Sequence, residues 1–230
     1  MRILAFESSA KAASVALIQD GVLLTEHFQN NGKTHSATLM PMAKQVLEDC
    51  GITAADLDVV AVAKGPGSFT GVRIGVAAAK GLAWGAEKPV CGVSTLEGMA
   101  TQMAMLSGII CPVMDARRSQ VYTGIYRFEE HKLVAVKQQW ASPVTELIEE
   151  LNKIGEPVTF LGDGVPVFRS MIEEKLQVPY SFAPAHVNKQ RAAAVGTLGM
   201  IYYKEGRTET AMEHVPEYLR VSQAERERAE

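Results

Sequence analysis

The chain has 230 residues, 47% of them apolar, and a formal charge of −3. That is enough apolar material to bury a core in one or two domains, and it excludes a chain that is disordered over most of its length. A charge balance this close to neutral offers no generalised basic surface, which disfavours autonomous tight nucleic-acid binding and leaves room only for a local patch.

Ile3 to Phe6 reads as a buried strand, Ala13 to Ile18 as a second, Gln19-Asp20-Gly21 as a hairpin turn and Val22 to Phe28 as a third. Thr34 or Ser36 can cap a helix that carries Leu39, Met42, Ala43, Val46, Leu47 and Cys50 at helical spacing, with Pro41 fitting only near its first turn. Asp58 to Ala63 follows as a strand, Gly71 to Trp84 as a helix, Val90 to Val93 as a strand and Ser94 to Met105 as a helix. Three strands followed by strand and helix in alternation indicate a mixed α/β sheet flanked by helices.

A second unit opens near Gly108, with strands over Ile109 to Met114, Val121 to Phe128, Leu133 to Trp140 and Val158 to Leu161. Helices are expected from Pro143 to Leu151, Val165 to Glu174 and Lys189 to Tyr203. The expected division is an N-terminal lobe at 1–107, a C-terminal α/β lobe at 108–221 and a charged tail at 222–230 that is frayed or extends a solvated helix. Both lobes open on strands and then alternate, a coarse sign of internal duplication.

Cys50, Cys91 and Cys111 are an odd number without CxxC spacing, which indicates neither a disulfide framework nor a zinc knuckle. Glu7 breaks the first apolar stretch too early for a signal peptide, and no later stretch has the roughly 20 apolar residues of a spanning helix. The expectation is a soluble cytoplasmic protein.

The run Lys64-Gly65-Pro66-Gly67-Ser68-Phe69-Thr70-Gly71-Val72-Arg73-Ile74-Gly75 links a strand to a helix. It lacks the Gly-Lys-Ser/Thr of a P-loop and the position and spacing of a dinucleotide fingerprint. Two readings fit it: backbone N–H groups brought to an anion at a helix start, or glycines that permit a tight turn and close helix packing. Lys64, Ser68, Thr70 and Arg73 set hydroxyls and positive charge around the turn, yet Ser68 has no activating base in sequence. Glu7 and Asp115 each close a strand, and each reads either as a turn-capping carboxylate or as a ligand-facing one. Arg117 and Arg118 suit carboxylate or phosphate recognition, or an ordinary salt bridge between lobes. In the helix after the loop, Gly71, Gly75 and Ala79 recur at four-residue spacing beside Ala78 and Leu82, a narrow face for another helix or for packing within the lobe.

Ala5-Phe6-Glu7-Ser8-Ser9, the helix beginning at His35-Ser36, the central Gly65 to Arg73 run with Gly75, Ser94-Thr95-Leu96-Glu97, Asp115-Ala116-Arg117-Arg118 and Tyr122 together resemble the bacterial TsaB (YeaZ) family across the whole chain. The resemblance implies a two-lobed, ribonuclease H-like fold of the actin, sugar-kinase and Hsp70-ATPase superfamily. It also implies a non-catalytic role in forming threonylcarbamoyladenosine beside the anticodon of tRNAs that read codons starting with A. The implied partners are a TsaD-like catalytic paralogue, which the chain stabilises or activates, and a TsaE-like ATPase; tRNA is met mainly through the complex, and the isolated chain forms a homodimer. No tightly bound cofactor is implied, ATP and a divalent metal acting at the partner subunits.

The implied partner surface is the small-residue ridge of Gly71, Gly75, Ala78, Ala79 and Leu82 with Leu39, Met42, Ala43 and Val46, in the interface or immediately beneath it. Anion- or nucleotide-facing candidates are Glu7, Lys64, Gly65, Gly67, Ser68, Thr70, Arg73, Asp115, Arg117 and Arg118, with no catalytic residue and no metal ligand. TsaD-like proteins carry a His-x-x-x-His metal motif, and Thr95 and Met99 stand where those histidines would fall, a hydroxyl and a thioether being poor substitutes for imidazoles. The competing readings are an ATP-binding kinase or ATPase of the same superfamily, disfavoured by the missing glycine-rich hairpin after the first strand, and a metal-dependent peptidase.

Overall fold

A computed structural model describes residues 1–104 and 106–220. The expected tail at 222–230 and the end of the expected helix at Met105 lie outside the described residues. The described chain divides into two units: Met1–Gln102 with Gln190–Pro216, and Met103–Lys189 with residues 217–220.

The first unit holds strands β1 (Arg2–Glu7), β2 (Ala13–Gln19), β3 (Val22–Gln29), β4 (Val59–Gly65) and β5 (Val90–Ser94) in the order β3-β2-β1-β4-β5. The β1–β2 and β2–β3 pairs are antiparallel, and β1–β4 and β4–β5 are parallel. Period-two alternation sends Leu4, Phe6, Val15, Leu17, Val60 and Val62 to one face, where α1 (His35–Asp49) and α2 (Phe69–Gly85) close the core. Ile3, Ala5, Ala16, Ala61, Ala63 and Val93 go to the other, covered by α6 (Ala192–Lys204).

That last helix corrects the expected boundary. A division at residue 107 places the Lys189–Tyr203 helix in the C-terminal lobe, but Gln190–Pro216 packs in the first unit. The reason is steric complementarity: a Cβ on Gly199 would stand 2.8 Å from the Cβ of Ala61, and one on Gly196 would stand 2.8 Å from Ile18 Cδ1. The small residues of α6 thus match the small-residue face of this sheet.

The second unit repeats the plan with β6 (Ile109–Asp115), β7 (Gln120–Glu129), β8 (Lys132–Pro143), β9 (Val158–Leu161) and β10 (Tyr180–Phe182) in the order β10-β9-β6-β7-β8. Its pairing matches strand for strand, antiparallel through β6–β7–β8 and parallel through β6–β9–β10. The amphipathic helix α4 (Val144–Ile154) buries Val144, Leu147, Ile148 and Leu151, and α5 (Val165–Lys175) buries Val165, Phe168 and Ile172 in the same core.

Local differences from the expected elements have local causes. Thr34 precedes α1 but its side chain makes no capping bond, and Pro41 sits at the helix's seventh residue rather than in its first turn, on the exposed side. The helix after β5, α3 (Thr95–Thr101), is shorter than expected. The 3-10 turn at Ala54–Asp56 and the three-residue β10 are too short to leave a periodic signal.

Candidate functional site

Because β1, β4 and β5 run parallel, Glu7, Gly65 and Ser94 end at one edge of the first sheet, the edge where open α/β sheets hold ligands. Glu7 is 1% exposed, and its Oε1 accepts the Ser9 N–H at 2.6 Å, so it caps the β1–β2 turn. Ser68 caps α2, its Oγ accepting from the Gly71 N–H at 3.4 Å while its own N–H donates to the Ser9 carbonyl at 2.6 Å.

The glycine spacing resolves on this turn. A Cβ at Gly67 would stand 2.4 Å from the Ser9 carbonyl oxygen, one at Gly71 would stand 2.2 Å from that of Ser8, and one at Gly75 would stand 2.4 Å from Ser8 Oγ. Ser8 Oγ also donates to the Gly71 carbonyl at 2.9 Å. The three glycines therefore form the cradle that admits the β1–β2 turn, which is the close-packing reading, and the amides of Ser68 and Gly71 are occupied inside it. Lys64 runs its stem along Gly92, the guanidinium of Arg73 stacks 3.7 Å over the Phe69 ring, and Thr70 is exposed. Asp115 lies in the second unit, where its Oδ1 accepts the Arg117 N–H at 2.8 Å; Arg117 and Arg118 are exposed.

The nominated partner ridge points mostly inward. Leu39, Met42, Ala43, Val46, Gly71, Gly75 and Ala79 are buried, and Ala78 and Leu82 are half-buried against the same core. They lie beneath the outer face. That face consists of Ala37, Met40, Pro41 and Lys44 on α1 and Thr70, Arg73, Ala77, Gly81 and Trp84 on α2, with Met40 44% and Trp84 74% exposed. A Cβ at Gly81 would meet nothing within 4 Å. The sequence signal for this second line, 73-77-81, is the same four-residue spacing two positions on from 71-75-79, and spacing alone does not say which line faces the sheet.

Beside α2, the segment from α6 to Pro216 closes over the sheet edge. Glu209 and Val90 exchange both backbone bonds at 2.9 Å, and Lys80 Nζ donates to the His214 carbonyl at 2.6 Å and the Met212 carbonyl at 3.2 Å. The His214 ring is 1% exposed and lies on Gly92, where a Cβ would stand 2.5 Å from its Cε1. Its Nδ1 lies 3.0 Å from Glu209 Oε2, and its Nε2 has no partner among the described residues.

Among the described residues there is no group of three or more His, Cys, Asp or Glu side chains placed to hold an ion. Thr95 and Met99 are each 1% exposed in α3, Thr95 Oγ1 having no hydrogen-bond partner there. Burial pushes the Cys91 thiol up to about 11 and Cys111 up to about 12, so both stay protonated and unreactive near neutrality. No helix of the described residues is long and apolar enough to cross a membrane.

The model of the family described as TsaD, tRNA N6-adenosine threonylcarbamoyltransferase, matches residues 25–228. The Bacillus subtilis tRNA threonylcarbamoyladenosine biosynthesis protein TsaB is 36% identical over 225 residues, covering 98% of this chain and 96% of that protein. A crystal structure from Pseudomonas aeruginosa, described as an uncharacterized protein with similarity to peptidase YEAZ, superposes with a TM-score of 0.80 at 25% identity, covering 95% of this chain and 99% of the other. An ADPNP-bound activator of the 2-hydroxyisocaproyl-CoA dehydratase from Clostridium difficile shares the fold alone, with a TM-score of 0.50 at 10% identity over 90% of this chain and 97% of its own. The fold is of the actin-like class, mixed sheets flanked by helices. Identity at this level over nearly the full length of both chains, together with the matching architecture, means that the chain belongs to the TsaB (YeaZ) family.

Proposed function

We propose that this chain is the non-catalytic partner of a TsaD-type threonylcarbamoyltransferase in the formation of threonylcarbamoyladenosine on tRNA. It docks on that partner through the outer faces of α1 and α2, a TsaE-type ATPase joins the pair, and the same faces serve a homodimer when the chain is alone. ATP and a divalent metal act at the partner subunits.

The observation that carries the docking surface is Gly81. A glycine inside a helix costs about 0.5–1 kcal/mol relative to alanine, and at Gly71 and Gly75 the cradle over the β1–β2 turn accounts for it. At Gly81, thirteenth of the 17 residues of α2, no contact among the described residues does. With exposed Ala77 one turn before it and exposed Trp84 just after, it leaves a shallow apolar seat that a second helix can approach closely.

The test is light scattering on the chain alone and mixed with its TsaD-type paralogue, followed by a tRNA threonylcarbamoylation assay of each fraction supplied with the TsaE-type protein, ATP and threonylcarbamoyl-AMP. A one-to-one complex that modifies tRNA only when both proteins are present is the expected result. Failure to associate, or modification by this chain alone, overturns the reading.

A further inference from the structure

We infer that the exposed β6–β7 turn, Arg117-Arg118-Ser119, is a contact for the phosphodiester backbone of RNA. In the first unit the corresponding β1–β2 turn is buried under the glycines of α2. In the second, Gly164 makes the matching approach, a Cβ there standing 3.0 Å from the Asp115 N–H nitrogen, but the turn beyond Asp115 is left outside. The two turns share one plan and differ in exposure, which leaves the second able to meet something other than its own unit.

The backbone is held in an unfavourable conformation to present it. Arg117, Arg118 and Ser119 have φ of 66°, 53° and 57°, three consecutive residues with a Cβ in the left-handed region. The surroundings fix them there: Asp115 Oδ1 accepts the Arg117 N–H at 2.8 Å, the Gln120 N–H donates to the Arg117 carbonyl at 3.1 Å, and the Ala116 N–H donates to the Gln120 carbonyl at 2.9 Å. Arg220 Nη1 adds a bond to the Ala116 carbonyl at 2.9 Å, bringing a third guanidinium to the same corner.

Among the described residues the guanidinium groups of Arg117 and Arg118 have no partner. Every other arginine among the described residues stacks on a ring or bonds an acceptor, as Arg191 does with Glu26 and Arg73 with Phe69. Neither the Arg117 nor the Arg118 side chain has a hydrogen bond or ion pair within the described residues. The carboxylate nearest in sequence, Asp115, is occupied with the Arg117 amide. Two adjacent planar cations on a rigid tip, in a chain whose formal charge is −3, suit bidentate phosphate recognition from a local patch. Choosing RNA over an acidic protein rests on the tRNA-modification reading above.

Two measurements test the assignment. Titration of the free chain with a synthetic anticodon stem-loop RNA, followed through arginine Nε–Hε NMR signals, is expected to shift Arg117 and Arg118 before any other arginine; signals that stay fixed, or that move with Mg-ATP and not with RNA, overturn the proposal. In the reconstituted complex, Arg117→Ala/Arg118→Ala is expected to weaken tRNA binding about tenfold or more and to lower the slope of log affinity against log salt by about 2, one for each phosphate that an arginine neutralises, with Arg117→Lys/Arg118→Lys keeping the slope. An unchanged slope overturns it, and so does failure of the alanine variant to associate with the protein partner, which would mark the turn as a seat for acidic side chains. RNA-dependent NMR shifts in a chain that forms no complex would leave this contact standing and sink the partnership instead.

Discussion

His214 is the residue whose environment most clearly couples stability to pH. Its buried ring has Glu209 on one nitrogen and nothing among the described residues on the other, and Lys80 and Lys64 stand on the elements packed against it. Burial holds its pKa below the ordinary 6.5, outweighing the carboxylate of Glu209, which pulls the other way. The unfolded chain therefore takes up this proton before the folded one does. The stability that His214 contributes is complete above about pH 6.5 and drains away as the pH falls below it. Thermal melts from pH 8 to pH 5 are expected to show a falling Tm over the acid half of that range, and His214→Asn to flatten the profile. A wild-type profile as flat as the variant's would mean that the ring is protonated without penalty. Exposed carboxylates such as Asp56 and Glu213, held low by their hydrogen bonds to Thr53 and Thr210, are lost only at more acidic pH and do not confuse the window.

Helix α2 carries two lines at four-residue spacing, 71-75-79 toward the sheet and 73-77-81 outward, and the docking proposed for the second is testable within one element. Gly71→Ala drives a Cβ to 2.2 Å from the Ser8 carbonyl oxygen, a backbone atom pinned by its own turn, and is expected to cost about 3 kcal/mol in urea unfolding. Gly81→Ala meets no atom and is expected to stabilise the free chain by about 0.5–1 kcal/mol while weakening association with the TsaD-type partner. If Gly81→Ala stabilised the chain and left association untouched, the seat would lie elsewhere. The same helix shows what was legible beforehand. Strands β1, β2, β4 and β9, the hairpin turn at Gln19-Asp20-Gly21 and the existence of α2 follow from apolar runs and turn residues, which are local. Which face of α2 meets the sheet is not local: the four-residue spacing of 71-75-79 and that of 73-77-81 are equivalent until the β1–β2 turn is folded against one of them. Likewise Glu7 reads from sequence as a strand-end carboxylate that either caps its turn or faces a ligand, and only the folded turn, with the Ser9 N–H on its Oε1, decides for the cap. The left-handed backbone at Arg117 and Arg118 left no trace at all, since neither is a glycine or an asparagine.

At the scale of the molecule, the duplicated sheet order explains how 230 residues make two units of the same plan, and the placement of α6 explains why no single cut near Gly108 produces the first of them. The face of β1, β4 and β5 that carries Ile3, Ala5, Val59, Ala61 and Val93 is covered by Val195, Leu198 and Tyr202, which lie beyond the whole of the Met103–Lys189 stretch in the chain. Uncovering a fully buried Val or Ile costs about 1.5–3 kcal/mol, so exposing Ile3, Val59 and Val93 together costs about 5–9 kcal/mol, as much as the whole stability of a domain near the low end of the roughly 5–15 kcal/mol range. A fragment of residues 1–107, the expected lobe, should accordingly fail to fold cooperatively. Supplying residues 190–216 on a flexible linker after residue 102 should restore a sigmoidal urea transition and a protected core in hydrogen exchange. A cooperative transition in the 1–107 fragment alone would show that α1 and α2 suffice, and that α6 is a cover the sheet can lose.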